Sequence, residues 1–574
     1  MQSLEPVLNP DSVLNLDPVL SPDPVLNLNI APSTEEQCLP RPCAWLVMVL
    51  MPLLLSGCIT LGPDFEEPEV TWLADWQSDL YGQASAGSGE SDLRFWWQLF
   101  DDPVLNELIE TARRENPSLR IAGLRILESR AALGIAGSNL YPQLQQLGGA
   151  ATRVHDQRSN GRDRSLTSYS ADFSLGWELD FWGRFQRGIE SADAAFFASI
   201  ASQRDAQVLL SAQVANLYFA YRTTLLRIEI ARHNAAIQQR SFDITRKIFE
   251  SGQGSELDLQ QAKTQYLATL STIPDLEATL VQQRNALGVL LARPPGQMPE
   301  LPTQAAPLPE VEAIMVREVP ARLLLRRPDI RMAAWQVAIQ SAQIGIAQAD
   351  YYPAITLRGS IGWSANSLDG SADTLRTLGG PSLSWNLFDH GRITNNVRLQ
   401  DARLQQTIES FQNEVLQAAR EIDDAAIAVV KGGEQLQILS DSRRAAERSL
   451  ELATTRYREG YADFQRVLDA QRVLFSQAER ELVSEGARLG AIITLYKALG
   501  GGWLDTPIEQ LVPESVRNTM RSRTHWGHLL DAPLPTPADS SLKDSTFEDG
   551  TSEASTSEDR TSENSTLSGS RTSL

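Results

Sequence analysis

Two short stretches hold the side chains best placed to act together. Gly254-Ser255-Glu256-Leu257-Asp258 and Gly460-Tyr461-Ala462-Asp463-Phe464-Gln465-Arg466-Val467-Leu468-Asp469 each leave a glycine turn and enter a helix with carboxylates at its start. Such acids can act locally, accepting the free N–H groups of a helix N-terminus and meeting the positive end of its dipole. They can also act collectively, since around a symmetry axis each acid becomes a ring that attracts cations and resists anions. Other reactive groups are scattered. His155, His233 and His390 lie far apart, and His525 and His528 fall in a C-terminal region expected to be weakly structured. Neither a phosphate-cradling loop nor a nucleophile elbow occurs, so no enzyme activity, metal site or catalytic cofactor is expected. Cys38, Cys43 and Cys58 all lie near the N-terminus, which leaves the rest of the chain without a thiol for an internal disulfide. The net charge of −21 provides no basic stripe for nucleic acid.

The acids need long helices to carry them, and the sequence writes such helices twice. Between Phe185 and Glu250 no proline interrupts two apolar stripes, one through Val208, Ala212, Ala215 and Phe219, the other through Leu210, Val214, Leu217, Tyr221 and Ile228. Two stripes require neighbours on two sides, and a helix of that length spans about 100 Å, as in a coiled-coil wall. It grows out of a strand. Tyr169, Ala171, Phe173, Leu175 and Trp177 form one face against Ser170, Asp172, Ser174, Gly176 and Glu178, and the chain then runs through Asp180-Phe181-Trp182-Gly183-Arg184 into the helix. That period of two suits either a soluble sandwich or a membrane barrel with a wet lumen, and by itself it leaves both open.

The unit recurs. Leu383-Ser384-Trp385-Asn386-Leu387-Phe388-Asp389-His390-Gly391-Arg392 repeats the strand and its Gly-Arg exit. Leu140-Tyr141-Pro142 matches Tyr351-Tyr352-Pro353, and Phe249-Glu250-Ser251-Gly252 matches Tyr457-Arg458-Glu459-Gly460. The body is therefore expected to be mainly α with a small β part: helix, hairpin, long helix, turn and helix, duplicated. Strands are expected near 143–154, 168–179, 354–363 and 380–388, with Gly183, Arg184, Gly391 and Arg392 at the strand-to-helix junctions. Asp102 before Pro103 starts a helix that reaches about Ala136, interrupted at Asn116-Pro117. The hairpin connection with Arg153, Arg158, Arg162 and Arg164 reads as a solvated loop, with contact to anionic surface lipid the alternative.

Residues 1–40 repeat a proline-broken phrase, Asp-Pro-Val-Leu, and read either as a disordered leader or as a start placed too far upstream. Arg41 precedes the apolar run Ala44 to Leu55, which is too short to span a bilayer and ends in Leu55-Ser56-Gly57-Cys58. These residues resemble a bacterial lipoprotein signal. The resemblance implies cleavage before Cys58 and a diacylglycerol and N-acyl chain on that cysteine. Ile59 follows where aspartate would imply inner-membrane retention, so an outer-membrane destination is implied.

Leu61-Gly62-Pro63-Asp64-Phe65 and Phe95-Trp96-Trp97-Gln98-Leu99-Phe100-Asp101-Asp102-Pro103, together with the duplication, resemble the NodT branch of the TolC-like outer-membrane efflux proteins from about Cys58 to Trp503. Four strands cannot close a barrel in lipid, because open edges leave backbone groups unpaired at several kcal/mol each. Three copies give twelve strands, and the resemblance implies the same homotrimer, with the long helices forming a periplasmic α-helical barrel below. It also implies a passive exit duct for small molecules, served by a periplasmic adaptor and an inner-membrane RND-type pump. A gate at the helical tips is implied too, with Asp469 in an aspartate ring, Tyr457 as a latch tyrosine and Asp258 as its partner, beside Asp463. Ala462 and Arg466 stand where the family has a latch arginine and a second ring aspartate. The competing readings are the exit duct of a type I protein secretion system and a coiled-coil scaffold or adhesin without a pore.

The expected division is a leader with signal over 1–57, an extended anchored segment over 58–95 and a first repeat over 96–296. A linker over 297–325, a second repeat over 326–503 and an acidic, largely disordered tail over 504–574 complete it.

Overall fold

A computed structural model describes residues 59–74, 81, 93–156, 164–298, 301–311, 321–366 and 374–535. The leader, the signal and Cys58 lie outside the described residues, as do residues 536–574.

The first repeat comprises α1 (Pro103–Glu115), α2 (Pro117–Ser138), β1 (Leu144–Asp156), β2 (Arg164–Leu179), α3 (Arg184–Glu250) and α4 (Glu256–Leu290). Asp102 accepts from the N–H groups of Val104 and Leu105 at 3.0 and 3.2 Å, and Asn116 accepts from Ser118 and Leu119 at 2.8 and 3.1 Å. The Pro at the first position of each helix has no N–H to leave unpaired, so sequence and caps agree. After the short α5 (Ala321–Arg326), the second repeat runs through α6 (Pro328–Ala349), β3 (Ala354–Ala365), β4 (Thr374–Ser384), α7 (Arg392–Arg458) and α8 (Phe464–Ala498). The long helices α3 and α7 have 67 residues each, and α4 and α8 have 35 each, so the duplication holds to the residue.

Both apolar stripes of α3 are buried, Val208, Ala212, Ala215 and Phe219 on one side and Leu210, Val214, Tyr221 and Ile228 on the other. One main core results. Trp96 stacks on Tyr496 with ring centroids 5.7 Å apart, Phe100 meets Phe219 at 4.8 Å, and Val415, Ile422 and Ile493 fill between them. Gly502, at φ +99°, passes so close to Trp96 that a Cβ there would lie 2.9 Å from the indole nitrogen. The proline-rich link is packed as well: Leu301, Leu308 and Val311 join the core, and the Tyr221 hydroxyl donates to the Pro302 carbonyl at 3.0 Å.

The strands form one antiparallel sheet in the order β1-β2-β3-β4. The register places Leu147, Phe173 and Ile361 in one transverse row, on the same face as Trp177, Trp363, Leu375 and Leu383. No second sheet covers that face among the described residues, and Leu147 is 80 % and Leu375 66 % exposed. A soluble sandwich would bury these side chains, so the apolar face is built for lipid.

Two expectations need correction. The fourth strand spans Thr374–Ser384 and not 380–388, so Trp385 to Phe388 leave the sheet. Gly379-Gly380-Pro381 lies inside β4, with Pro381 opposite Leu357. Trp385, just past the strand, donates its Nε1–H to the Tyr351 carbonyl at 2.9 Å.

The second correction concerns the tail, whose residues 504–535 are ordered. Helices α9 (Ile508–Leu511) and α10 (Glu514–Arg523) bring Ile508, Leu511, Val512, Met520 and Leu530 onto Ile126, Leu127, Phe196 and Ile200. The Arg130 guanidinium then ties the strap down by donating to the carbonyls of Leu529, Ala532 and Pro533 at 3.2, 2.7 and 2.7 Å. The segment is too poor in apolar residues to fold alone but supplies enough to dock on a finished surface. Ending the chain after Pro535 is expected to leave the thermal midpoint of the purified protein unchanged. Ending it after Asp505 bares four apolar side chains and is expected to lower that midpoint by several degrees or more.

Arg327 is buried and donates to the Ala498 carbonyl at 2.7 Å, to Asp329 at 2.6 Å and to Glu421 at 3.0 Å. Asp205 on α3 lies near this cluster, and burial first, then the Asp329 carboxylate, pushes its pKa from 3.8 up to about 6. Folded Asp205 therefore holds a proton that the unfolded chain has released between those values, and its contribution to stability is lost as the pH rises through 6. Asp205→Asn is expected to raise the thermal midpoint at pH 7.5 and to leave it unchanged at pH 3.5.

Candidate functional site

The two helical tips are built alike. In the first, Gly252 at φ +76° lets its N–H reach the Phe249 carbonyl at 2.9 Å and that of Gln253 reach Ile248 at 3.1 Å. In the second, Gly460 at φ +80° lets its N–H reach Tyr457 at 3.0 Å and that of Tyr461 reach Arg456 at 2.9 Å. This is the same glycine-ended helix stop twice. The correspondence pairs Ser255 with Asp463, Phe249 with Tyr457, and Asp258 with Arg466, so the tips share a backbone but not a charge pattern.

At the first tip Ser255 is the cap, its Oγ accepting from the Leu257 N–H at 3.1 Å, and Asp258 lies in the first turn of α4. At the second, Asp463 occupies the cap position with no side-chain capping bond. Local capping thus explains Ser255 but leaves the exposed Asp463 carboxylate unused by its own helix. Ala262, Phe464, Val467 and Leu468 form a small buried cluster that joins the tips, with Phe242, Leu450 and Tyr457 packed against it. Tyr457 lies against Phe464 with ring centroids 5.2 Å apart.

The same packing brings Tyr457 beside Asp258. Partial burial first, and the Asp258 carboxylate second, push the phenol pKa up. The phenol therefore stays a proton donor next to an acceptor, although no hydrogen bond joins the two among the described residues. Asp469 is exposed and is met by Gln465 Nε2 at 3.2 Å and by Arg472 Nη1 at 3.5 Å. Arg472 also donates to Gln265 on α4 at 3.4 Å, linking the tips. Sequence reading missed Arg472, whose i, i+3 spacing from Asp469 was the available signal. With Arg466 exposed nearby, the acids at this end are partly countered.

At the opposite end, Gly183 (φ +70°) and Gly391 (φ +83°) begin the two long helices. A Cβ on Gly183 would fall 2.7 Å from the Thr60 Cα, so the position demands glycine twice over. Arg184 stands 3.8 Å from Glu178 and 3.7 Å from Asp350, while Arg392 is exposed. The acid ahead of each Gly-Arg does the capping: Asp180 accepts from Gln186 N–H at 2.8 Å, and Asp389 from Gly391 and Ile393 at 3.0 and 2.7 Å. Trp177 donates to the Leu140 carbonyl at 3.0 Å as Trp385 does to Tyr351 at 2.9 Å, one anchor in each copy. Both pairs were readable by aligning the copies.

The extended segment after the leader is held here too. Buried Arg187 donates to the carbonyls of Leu61 and Gly62 at 2.8 and 3.1 Å and to Asp64 at 2.8 Å. Gly62 passes Gly345 of α6 so closely that a Cβ on Gly345 would meet the Leu61 carbonyl oxygen at 2.4 Å.

Among the described residues no three His, Cys, Asp or Glu side chains gather to hold a metal ion, and no helix is long and apolar enough to cross a membrane.

Residues 108–293 and 319–501 match the family described as outer membrane efflux protein. The chain is 32 % identical over 469 residues to the toluene efflux pump outer membrane protein TtgF of Pseudomonas putida, covering 79 % of this chain and 96 % of that protein. It is 30 % identical over 457 residues to nodulation protein T of Rhizobium leguminosarum bv. trifolii, covering 79 % and 96 %. Among solved structures, the outer-membrane channel OprN is 31 % identical with a TM-score of 0.70, covering 77 % of this chain and 99 % of that one. The open state of the MtrE outer membrane channel of Neisseria gonorrhoeae is 28 % identical with a TM-score of 0.68, covering 77 % and 98 %.

Proposed function

Since the chain belongs to the outer membrane efflux protein family and is the outer-membrane exit duct of an efflux system, we propose that three copies close one passive pore, anchored by lipid on Cys58 and gated at the helical tips. The observation that carries this reading is the sheet. Its four strands leave β1 and β4 as edges and expose an apolar face, and in lipid both edges need partners. Pairing β4 of each copy with β1 of the next gives twelve strands; two copies would give eight, whose interior fills with side chains.

The long helices continue the pore into the periplasm, where an adaptor and an inner-membrane RND-type pump supply the substrate and the energy. At the tips Tyr457 donates to Asp258 to hold the closed state, and Asp463 and Asp469 form acid rings that Arg466 and Arg472 moderate. The substrates are small molecules: relatives are named for toluene, solvent and antibiotic efflux. Those names favour efflux over protein secretion.

Mass spectrometry of the mature N-terminus from separated inner and outer membranes tests the anchor. A triacylated peptide starting at Cys58 in the outer fraction is expected, whereas an unmodified chain that begins upstream of Cys58 overturns it.

A further inference from the structure

The register of the sheet also fixes what lies on the face away from lipid. Four transverse rows succeed one another there from the helical end outward: Glu178, Thr356, Ser382; then Leu144, Gly176, Arg358, Gly380; then Gln146, Ser174, Ser360, Leu378; then Gly148, Asp172, Gly362, Arg376. Most positions are small or polar, as a wet lumen needs. Arg358 and Arg376 are exposed, and neither makes a hydrogen bond or ion pair among the described residues. The two differ in company. Arg376 shares its row with Asp172, whose carboxylate is met only weakly, by the Ser174 hydroxyl at 3.4 Å. Arg358 has glycine on both sides, Gly176 and Gly380, so its row carries one positive charge and no acid; the nearest acid on this face, Glu178 in the row before it, already faces Arg184 at 3.8 Å.

We propose that Arg358 forms an anion-binding girdle inside the barrel, a constriction that favours carboxylate-, sulfonate- or phosphate-bearing solutes on their way out. This rests on the three-copy pore proposed above. In such a pore the Arg376 row sums to three guanidiniums and three carboxylates, while the Arg358 row, about 13 Å nearer the helices at about 3.3 Å per residue, is three guanidiniums alone. Rings of arginine are what anion pores use, and the flanking glycines leave each fork open for bidentate contact with an oxyanion. The placement runs against the composition, since a chain of net charge −21 sets an unpaired cation facing its lumen. At the other end of the pore, the helical tips carry Asp258, Asp463 and Asp469. A solute therefore passes cation-favouring acids first and an anion-favouring girdle second.

The test is block of single channels in a planar bilayer by inorganic tripolyphosphate. The full-length protein is added from one side, so the bulky helical end stays there and the strand end faces the other. Tripolyphosphate on the strand side is expected to block wild-type channels. Arg358→Ser is expected to raise the half-blocking concentration about tenfold or more, and Arg358→Lys, which keeps the charge but not the fork, to raise it by less. Arg358→Gln serves as a second neutral variant should the serine variant not insert. Wild-type channels that tripolyphosphate does not block, or block unchanged in the neutral variants, overturn the girdle while leaving the pore intact. Absence of any channels from wild-type protein overturns the three-copy pore itself.

Discussion

Tyr457→Phe combined with Asp258→Ala is expected to raise the open fraction of single channels by about a hundredfold at neutral pH. The phenol and the carboxylate come from opposite tips, Tyr457 from the end of α7 and Asp258 from the start of α4. A buried cluster through Ala262 and Phe464 holds them as neighbours. Partial burial first, and the Asp258 carboxylate second, push the phenol pKa further above the neutral range, so it stays in the form that donates. A partly exposed hydrogen bond is worth about 1 kcal/mol. Three copies opening together lose about 3 kcal/mol, or about two decades in the closed-to-open ratio. Each single variant is expected to give nearly the whole effect, because the proposed closed-state bond needs both partners. Conductance histograms in a planar bilayer read this directly, and wild-type open fractions in all three variants rule the latch out. The size suits a gate: a stronger bond would resist the partner that must open it.

Asp102→Ala is expected to destabilise the fold by about 3–5 kcal/mol. The carboxylate is buried and serves four partners at once: it caps α1 through the Val104 and Leu105 N–H groups, accepts from the Tyr218 hydroxyl at 2.9 Å and pairs with Arg222. Alanine leaves Arg222 and Tyr218 of α3 without this acceptor and frees the start of α1. Asp102→Asn keeps the cap and loses the charge, so it separates the two contributions, the cap alone being worth about 1 kcal/mol. Heat denaturation of a membrane protein of this size is commonly irreversible, so the comparison is of midpoints at one scan rate. A midpoint for Asp102→Ala within a degree of the wild type contradicts the buried-pair account.

The long helices were legible because their signal is long. Sixty-odd residues without proline and with two stripes admit no other local structure, and both stripes of α3 are buried. Asp102 was legible as a cap because Asp before Pro signals one locally. Its bonds to Tyr218 and Arg222, more than a hundred residues away, depend on how α1 meets α3, which no local pattern encodes. The fourth strand was misplaced because Leu383 to Phe388 match the strand and exit of the first copy, whereas β4 ends at Ser384 and Trp385 to Phe388 leave the sheet. Residues 504–535 looked disordered because their order comes from the surface offered by Ile126, Phe196 and Arg130, not from their own composition. The tip acids were found by their place after a glycine turn, but the countercharge from Arg472 and the packing of Tyr457 on Phe464 appear only in three dimensions.

Electron cryomicroscopy of the full-length protein in lipid nanodiscs tests the central claim most directly. The expected map has threefold symmetry, with β4 of each chain paired to β1 of the next inside the lipid disc and Tyr457 and Asp258 at the far end of the helices. A map with any other number of chains, or with the sheets outside the lipid, contradicts it.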